Sequence, residues 1–306
     1  MMSQMPKIFI DGEYGTTGLG IRQRLEKLPV QVCSIPVEQR HDMKVRLDMM
    51  AQVDLVVLCL PDEASRESVA AIQSLSGHQP KVLDASTAFR THPDWVYGFA
   101  ELDLGQAEKI KSAPLVANPG CYSSGAIALL HPLVKAGIIA KDYPLTINAI
   151  SGYSGGGKQM IASYEVTKDA PPFMLYGLSL QHKHLPEIVH YAGLSREPIF
   201  VPSVGNFPQG MIVSVPLHVD TLSNNANIDD IKQCLQQHYA DGNVVSFVDE
   251  VPAKVSGDHL ALTDQMELHV HSNVRQDMVV LTATFDNLGK GASGAAIQNI
   301  RLMLGV

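Results

Sequence analysis

Lys7-Ile8-Phe9-Ile10-Asp11-Gly12-Glu13-Tyr14-Gly15-Thr16-Thr17-Gly18 is the stretch whose reading decides the fold. An apolar run leads into glycines spaced G-x-x-G-x-x-G, and a helical pattern with Ile21, Leu25 and Leu28 on one face begins at once. Glycines at such a turn let the backbone bend tightly and come close to a pyrophosphate. The free N–H groups and positive dipole end of the helix start then hold the anion. The spacing differs from the commoner G-x-G-x-x-G, so its weight comes from context: a strand before it and a helix after it favour dinucleotide binding over a plain glycine-rich turn.

The surrounding sequence repeats the pattern. Val30–Ile35, Asp54–Pro61 and Lys81–Ala85 are further short apolar runs separated by helical segments, as parallel βαβ units require. The run Leu55–Leu60 is apolar without alternation, as in a strand covered on both faces, and places Cys59 in the core. Beyond about Asn118 the texture changes. A helical stretch from Cys121 to Gly137 precedes strand patterns at Leu145–Ser151, Met211–Val219, Val244–Val248, Met266–Ser272 and Val279–Asp286. The alternation in Glu267–His271 suits a half-buried strand and predicts a largely antiparallel sheet. The glycine-rich Gly289–Gly294, followed by Ala295–Leu304, reads as a turn feeding a helix that returns to the first domain. The expected division is residues 1–117 with 287–306, and residues 118–286.

Composition narrows the class. The 306 residues are 45% hydrophobic and 18% charged, with a formal net charge of −8, a balance that argues against nucleic acid or an anionic membrane as partner. No uncharged apolar stretch reaches spanning length and the N-terminus lacks a secretory pattern, so a cytoplasmic protein is expected. Cys33, Cys59, Cys121 and Cys234 lie far apart without a Cys-x-x-Cys pair, which suggests neither a disulfide framework nor zinc.

Further segments carry chemistry. In Ala117-Asn118-Pro119-Gly120-Cys121-Tyr122-Ser123-Ser124-Gly125 the Pro-Gly turn puts Cys121 at a helix start, where free N–H groups favour the thiolate. Cys33, Cys59 and Cys234 better fit the bland reading of a small buried apolar side chain. Ser179–Glu187 brings together His182, Lys183 and His184, which can supply a proton donor and an anion clamp; the alternative for each histidine is a surface or satisfied core residue, and a zinc site from His182, His184 and Glu187 matches no usual spacing. Ile150–Lys158 is a second glycine-rich strand end, open to substrate or nicotinamide. In Asp84–Arg90, Ser86 and Arg90 fall on the ligand side of a parallel sheet; the alternative for Arg90 is a surface ion pair. The second strand ends Cys33-Ser34-Ile35-Pro36 without an acid to hold a ribose 2′-hydroxyl, and Arg40 follows, so NADP is expected over NAD despite the nearby Glu38.

Taken together these segments, with His182-Lys183-His184-x-Pro186-Glu187 and Lys290-Gly291-Ala292-Ser293-Gly294 followed by Gln298-Asn299, resemble the N-acetyl-γ-glutamyl-phosphate reductases in their shorter sequence type. The match runs in order along the chain. One departure is Gly155-Gly156-Gly157-Lys158, where the family has Gly-Ala-Gly-Arg.

The resemblance implies an α/β protein with a Rossmann-type dinucleotide-binding domain plus an α+β catalytic domain. It implies reduction of N-acetylglutamyl 5-phosphate by NADPH in arginine biosynthesis, through a thioester on Cys121 with His184 as acid/base. Arg90 and Asn118 are then the phosphate and carbonyl neighbours, joined as substrate contacts by Ser86, Ser151, Ser154 and His182. Expected cofactor contacts are Gly12, Tyr14, Gly15, Thr16, Thr17, Gly18, Ser34, Arg40, Pro61, Gly155, Gly156 and Gly291. No metal is expected; the partners expected are a small acyl phosphate and further copies of the chain, as a dimer or tetramer. The competing readings are a sister reductase of aspartyl phosphate or an aminoadipate derivative, and a nucleotide sensor without chemistry.

Overall fold

A computed structural model describes residues 5–306. The chain divides into two compact units, one holding the sequence up to Ala100 with Leu104–Pro119 and Ala292–Val306, the other Glu101–Asp103 and Gly120–Gly291.

The first unit is built from β1 (Lys7–Asp11), α1 (Thr16–Leu25), β2 (Gln31–Cys33), α2 (Met43–Met50), β3 (Leu55–Leu58), α3 (Asp62–Gln73), β4 (Lys81–Asp84), β5 (Val96–Tyr97), α4 (Gln106–Ser112) and β6 (Leu115–Ala117). Its sheet runs β2-β1-β3-β4-β6-β5 with every pairing parallel. Side chains alternate through the sheet: Ile8, Ile10, Leu55 and Val57 enter one core, while Phe9, Val56 and Leu58 enter the other. Both faces are therefore covered, and the strands read as unbroken apolar runs. The chain leaves β1 for β2 on one side and β3 on the other, so the order reverses at β1, where ligands of such sheets bind at the carboxyl ends.

The second unit follows with α5 (Cys121–Lys135), β7 (Thr146–Gly152), α6 (Gly157–Glu165), β8 (Phe173–Leu175), α7 (Leu185–Ala192), β9 (Ile199–Gly205), β10 (Met211–His218), α8 (Ile228–His238), β11 (Val245–Phe247), β12 (Met266–Ser272) and β13 (Met278–Phe285). Its sheet runs β11-β12-β13-β10-β7-β9-β8. The β8–β9, β7–β10, β10–β13 and β12–β13 pairings are antiparallel, as expected, but β7–β9 and β11–β12 are parallel, which makes the sheet mixed. Helix α5 is buried on nearly every side and packs against α7, α8, β10 and β13. Pro132 within it can donate nothing to the carbonyl of Ala128, and the hydroxyl of Tyr239 donates there instead at 2.8 Å. The chain then returns to the first unit with α9 (Gly294–Leu304), whose Ala296, Ile297, Ile300 and Met303 close the core over α1 and α4.

Two sequence expectations shift. The strand expected to contain Cys59 ends at Leu58, and Cys59 hangs beyond it, its N–H donating to the Asp11 carbonyl at 2.8 Å. The expected turn Gly289–Gly294 is instead a π-helical turn, Gly289–Ser293, leading directly into α9.

Candidate active site

In the first unit a cavity of about 420 Å³ opens where the strand order reverses, lined by the end of β1, Gly12–Gly15, Ile35, Arg40, His41, Arg46 and Cys59–Pro61. Its floor is rigid. Asp11 is buried and accepts from Arg46 Nη2 at 2.5 Å, and Arg46 also donates to Ser68 at 2.6 Å. Burial raises the Asp11 carboxyl above its usual range, with Arg46 and Ser68 working against the rise.

The glycine loop fits a phosphate. Gly12 has φ +90°, and a Cβ there would stand 2.4 Å from the Cys59 carbonyl, so only glycine makes this turn. Gly15 is the N-cap of α1, and the one protein atom near its missing Cβ is the Gly12 carbonyl at 3.4 Å, which leaves that side of the helix start open to a ligand. Thr16, Thr17 and Gly18 make the first turn of α1, Pro61 is the N-cap of α3, and Tyr14 is exposed at the rim. Of the residues expected to meet a 2′-phosphate, Arg40 lines the cavity but donates to the Val37 carbonyl of its own turn at 2.8 Å. Ser34 donates to Glu13 at 3.0 Å and accepts from Arg22 at 2.7 Å. Glu13 and Arg22 form an ion pair that sequence reasoning did not single out.

At the far end of β4, Ser86 donates to Asp84 at 2.6 Å. Arg90 is buried, not a surface cation, and donates through Nε to the Asn118 carbonyl at 3.0 Å. The Asn118 amide donates to the Ala292 carbonyl at 3.1 Å and its oxygen accepts from Asn299 at 3.1 Å.

In the second unit Cys121 is the first residue of α5 and Gly120 its N-cap, in extended backbone. Ser123 and Ser124 donate back to the Gly120 carbonyl at 3.0 and 2.8 Å, and the Gly120 N–H donates to the buried carboxylate of Glu187 at 3.2 Å. Glu187 lies in the first turn of α7, and His184 is that helix's N-cap, so the His-Lys-His-x-Pro-Glu segment packs against the turn that carries the cysteine. The His182 and His184 rings lie 4.8 Å apart and each stands 5.9 Å from the ring of Tyr122. His182 Nδ1 accepts from the His184 backbone N–H at 3.1 Å. Burial, helped by the charge of Lys183, pushes the His182 imidazole down to about 4, while His184 is the more deeply buried ring. Tyr176, absent from the sequence expectations, joins this group at 5.8 Å from His182, and burial pushes its phenol up to about 12.

Ser151 and Ser154 are buried; Ser151 donates to the Gly152 carbonyl at 2.9 Å and Ser154 accepts from Asn287 at 2.9 Å. Gly155 and Gly156 lie exposed in a short turn after β7. Gly291 packs on Cys121: a Cβ there would stand 3.0 Å from Cβ of Cys121.

Burial does not separate the cysteines as expected, because all four are partly exposed. Position does. Cys59 packs against the core of the first unit, and the desolvation of its sulfur there, followed by the charges of Asp84 and Asp11, pushes its thiol up to about 12. Burial also raises the Cys234 thiol. Among the described residues, no group of three or more His, Cys, Asp and Glu side chains is placed to hold a metal ion.

Comparison with known proteins finds relatives over the whole chain. Residues 17–113 match the semialdehyde dehydrogenase NAD binding domain and residues 121–287 the semialdehyde dehydrogenase dimerisation domain. The chain is 50% identical to the N-acetyl-gamma-glutamyl-phosphate reductase of Rhizobium rhizogenes over 309 aligned residues, covering 98% of this chain and 99% of that one. It is 50% identical to the protein of the same name from Brucella ovis, again with 98% and 99% coverage. Aspartate semialdehyde dehydrogenase II of Vibrio cholerae, solved in complex with ASA, superposes with a TM-score of 0.72 at 16% identity, covering 99% of each chain. The Candida albicans enzyme solved with NADP gives 0.64 at 13%, covering 98% of each. Among the described residues no helix is long and apolar enough to cross a membrane. On near-full-length identity to curated relatives, the chain belongs to the N-acetyl-γ-glutamyl-phosphate reductase family of the semialdehyde dehydrogenases.

Proposed function

We propose that this chain reduces N-acetyl-γ-glutamyl phosphate to N-acetylglutamate γ-semialdehyde and phosphate, in the cytoplasm, with the first unit holding NADPH and the second carrying the chemistry and the contacts between copies. The observation that carries the reading is Cys121 as the first residue of α5, on a turn tied down by Glu187 and bordered by His184.

The residues account for each step. The Cys121 thiolate attacks the acyl carbon, the C–S bond forms and the C–O bond to phosphate breaks, leaving a thioester; N–H groups of the first helical turn favour the thiolate and can receive the oxyanion. NADPH, when bound, supplies the hydride. His184 donates a proton to the tetrahedral oxyanion and recovers it as the C–S bond breaks and the aldehyde forms. His182, held neutral near neutral pH by its depressed pKa, serves as a substrate contact rather than the acid. Arg90, Asn118 and Ser86 are assigned to the phosphate and carbonyl of the substrate, Ser151 and Ser154 to its positioning, and Gly155, Gly156 and Gly291 to close approach of the nicotinamide. Gly12, Tyr14, Gly15, Thr16, Thr17, Gly18 and Pro61 take the rest of the nucleotide. The exposed Met278 and Val280 on the β13 face support assembly as a dimer or tetramer through the second unit.

The test is the reverse reaction: N-acetylglutamate γ-semialdehyde, phosphate and NADP⁺, followed as NADPH formation, beside aspartate semialdehyde. Phosphate-dependent turnover of the acetylated substrate alone is expected; preference for aspartate semialdehyde overturns the substrate assignment.

A further inference from the structure

In parallel sheets of this kind the second strand's carboxyl end faces the adenosine ribose. Here that end carries Ser34, and the carboxylate missing from the strand arrives from another element: Glu13, in the glycine loop, accepts from the Ser34 hydroxyl at 3.0 Å. Glu13 is only 5% exposed. By itself, such a carboxylate would accept from a ribose 2′-hydroxyl and repel a 2′-phosphate dianion. The arrangement contains its own cancellation. Arg22, projecting from α1, pairs with Glu13 and donates through the same Nη1 to Ser34 at 2.7 Å. The Arg22 side chain remains 43% exposed. Arg40 is an exposed cation lining the cavity, turned onto the Val37 carbonyl.

We propose that Arg22 reads the 2′-phosphate, and that Glu13 and Ser34 hold its guanidinium at the ribose until the nucleotide arrives; this rests on the NADPH reading above. A guanidinium carries five N–H donors in a rigid fork, enough to keep Ser34 on one edge while phosphate oxygens take the other. Glu13 then sets the discrimination in both directions: it pre-orients Arg22, and it limits how tightly the dianion binds by holding a negative charge beside it.

Isothermal titration of the full chain with 2′,5′-ADP and with 5′-AMP isolates the 2′-phosphate without requiring turnover. The unaltered protein is expected to prefer 2′,5′-ADP. Removing a charge-assisted contact in Arg22→Gln should weaken 2′,5′-ADP by about 10–100-fold and leave 5′-AMP within about twofold. Arg40→Gln should cost about threefold or less, as a screened rim cation. Retained affinity for 5′-AMP shows that Arg22→Gln is folded; if it is lost, Arg22→Lys, which keeps charge but not the fork, should give an intermediate preference. Preference for 2′,5′-ADP that survives Arg22→Gln, or that collapses in Arg40→Gln instead, overturns the Arg22 assignment alone. Equal binding of both probes by the unaltered protein overturns the NADPH reading and the assignment with it.

Discussion

Replacing Gly291 by alanine tests whether the π-helical turn positions Cys121, the proposed nucleophile. The new methyl would lie 3.0 Å from Cβ of Cys121, 3.1 Å from the Asp286 carbonyl oxygen and 3.4 Å from Cε2 of Phe285. Unbonded carbons rest at about 3.5–4.0 Å, so the overlap with Cys121 is roughly 0.5–1 Å. Phe285 and Asp286 are fully buried and have nowhere to move, whereas Cys121 sits at a helix start beside a turn. The displacement should therefore fall on the cysteine. Overpacking of this kind costs about 1–3 kcal/mol of stability. Misplacing a reacting group by about 1 Å can cost on the order of 10²-fold, so turnover should drop about 10–100-fold. The assay combines turnover in the reverse direction, NADP⁺ affinity by titration, and the alkylation rate of the Cys121 peptide followed by mass spectrometry. The NADP⁺ titration separates any lost nicotinamide contact at Gly291 from the displacement of Cys121. A variant that melts earlier yet keeps normal turnover and a normal Cys121 alkylation rate would refute the positioning argument.

Cys121→Ala should abolish turnover and leave NADP⁺ binding nearly intact, whereas Cys33→Ala, Cys59→Ala and Cys234→Ala should lower melting temperature and keep the thioester chemistry; steady-state activity in Cys121→Ala rules out the thioester. His184→Ala should lower turnover by about 10²–10⁴-fold with little change in the Michaelis constant for NADPH, while His182→Ala should raise chiefly the Michaelis constant of the acylated substrate. If the pH–rate profile follows His182 instead, the roles are reversed. His182 also makes a stability prediction: its folded pKa of about 4 lies below the usual 6.5, so the unfolded chain takes up more protons between those values. Stability from this residue is complete above pH 6.5 and declines as pH falls toward 4, and His182→Asn should flatten that arm of the denaturation profile. An unchanged acid arm in the variant removes His182 as its source.

Much of the fold is legible because burial writes itself into the sequence as period. The first unit's strands are covered on both faces, so β1, β3 and β4 appear as apolar runs, and α1 follows β1 across Gly12 and Gly18, where an added Cβ would run into backbone. Pairing is less legible than existence. Ile199–Gly205 carries Pro202 in its middle, which argues against a strand by ordinary rules, yet it pairs along its length with β7. Its parallel direction, like that of β11 beside β12, depends on where distant segments return, and local alternation carries no information on that.

The site divides in the same way. Cys121 is visible because Pro119-Gly120 forces a turn and a helix follows, a local rule that the first turn of α5 obeys. Residues that act through partners are not visible. Glu187 sits in a segment already conspicuous for its histidines, but its bond to the Gly120 N–H spans 67 positions. Glu13 and Arg22 look like a solvated loop acid and a solvated helix cation until β2 brings Ser34 between them. For choosing between NADP and NAD, the rule about an acid at the second strand's tip reads the strand alone. Here the acid comes from the loop after β1 with its charge cancelled by α1, so the decision rests on a cluster of three segments rather than on any one position.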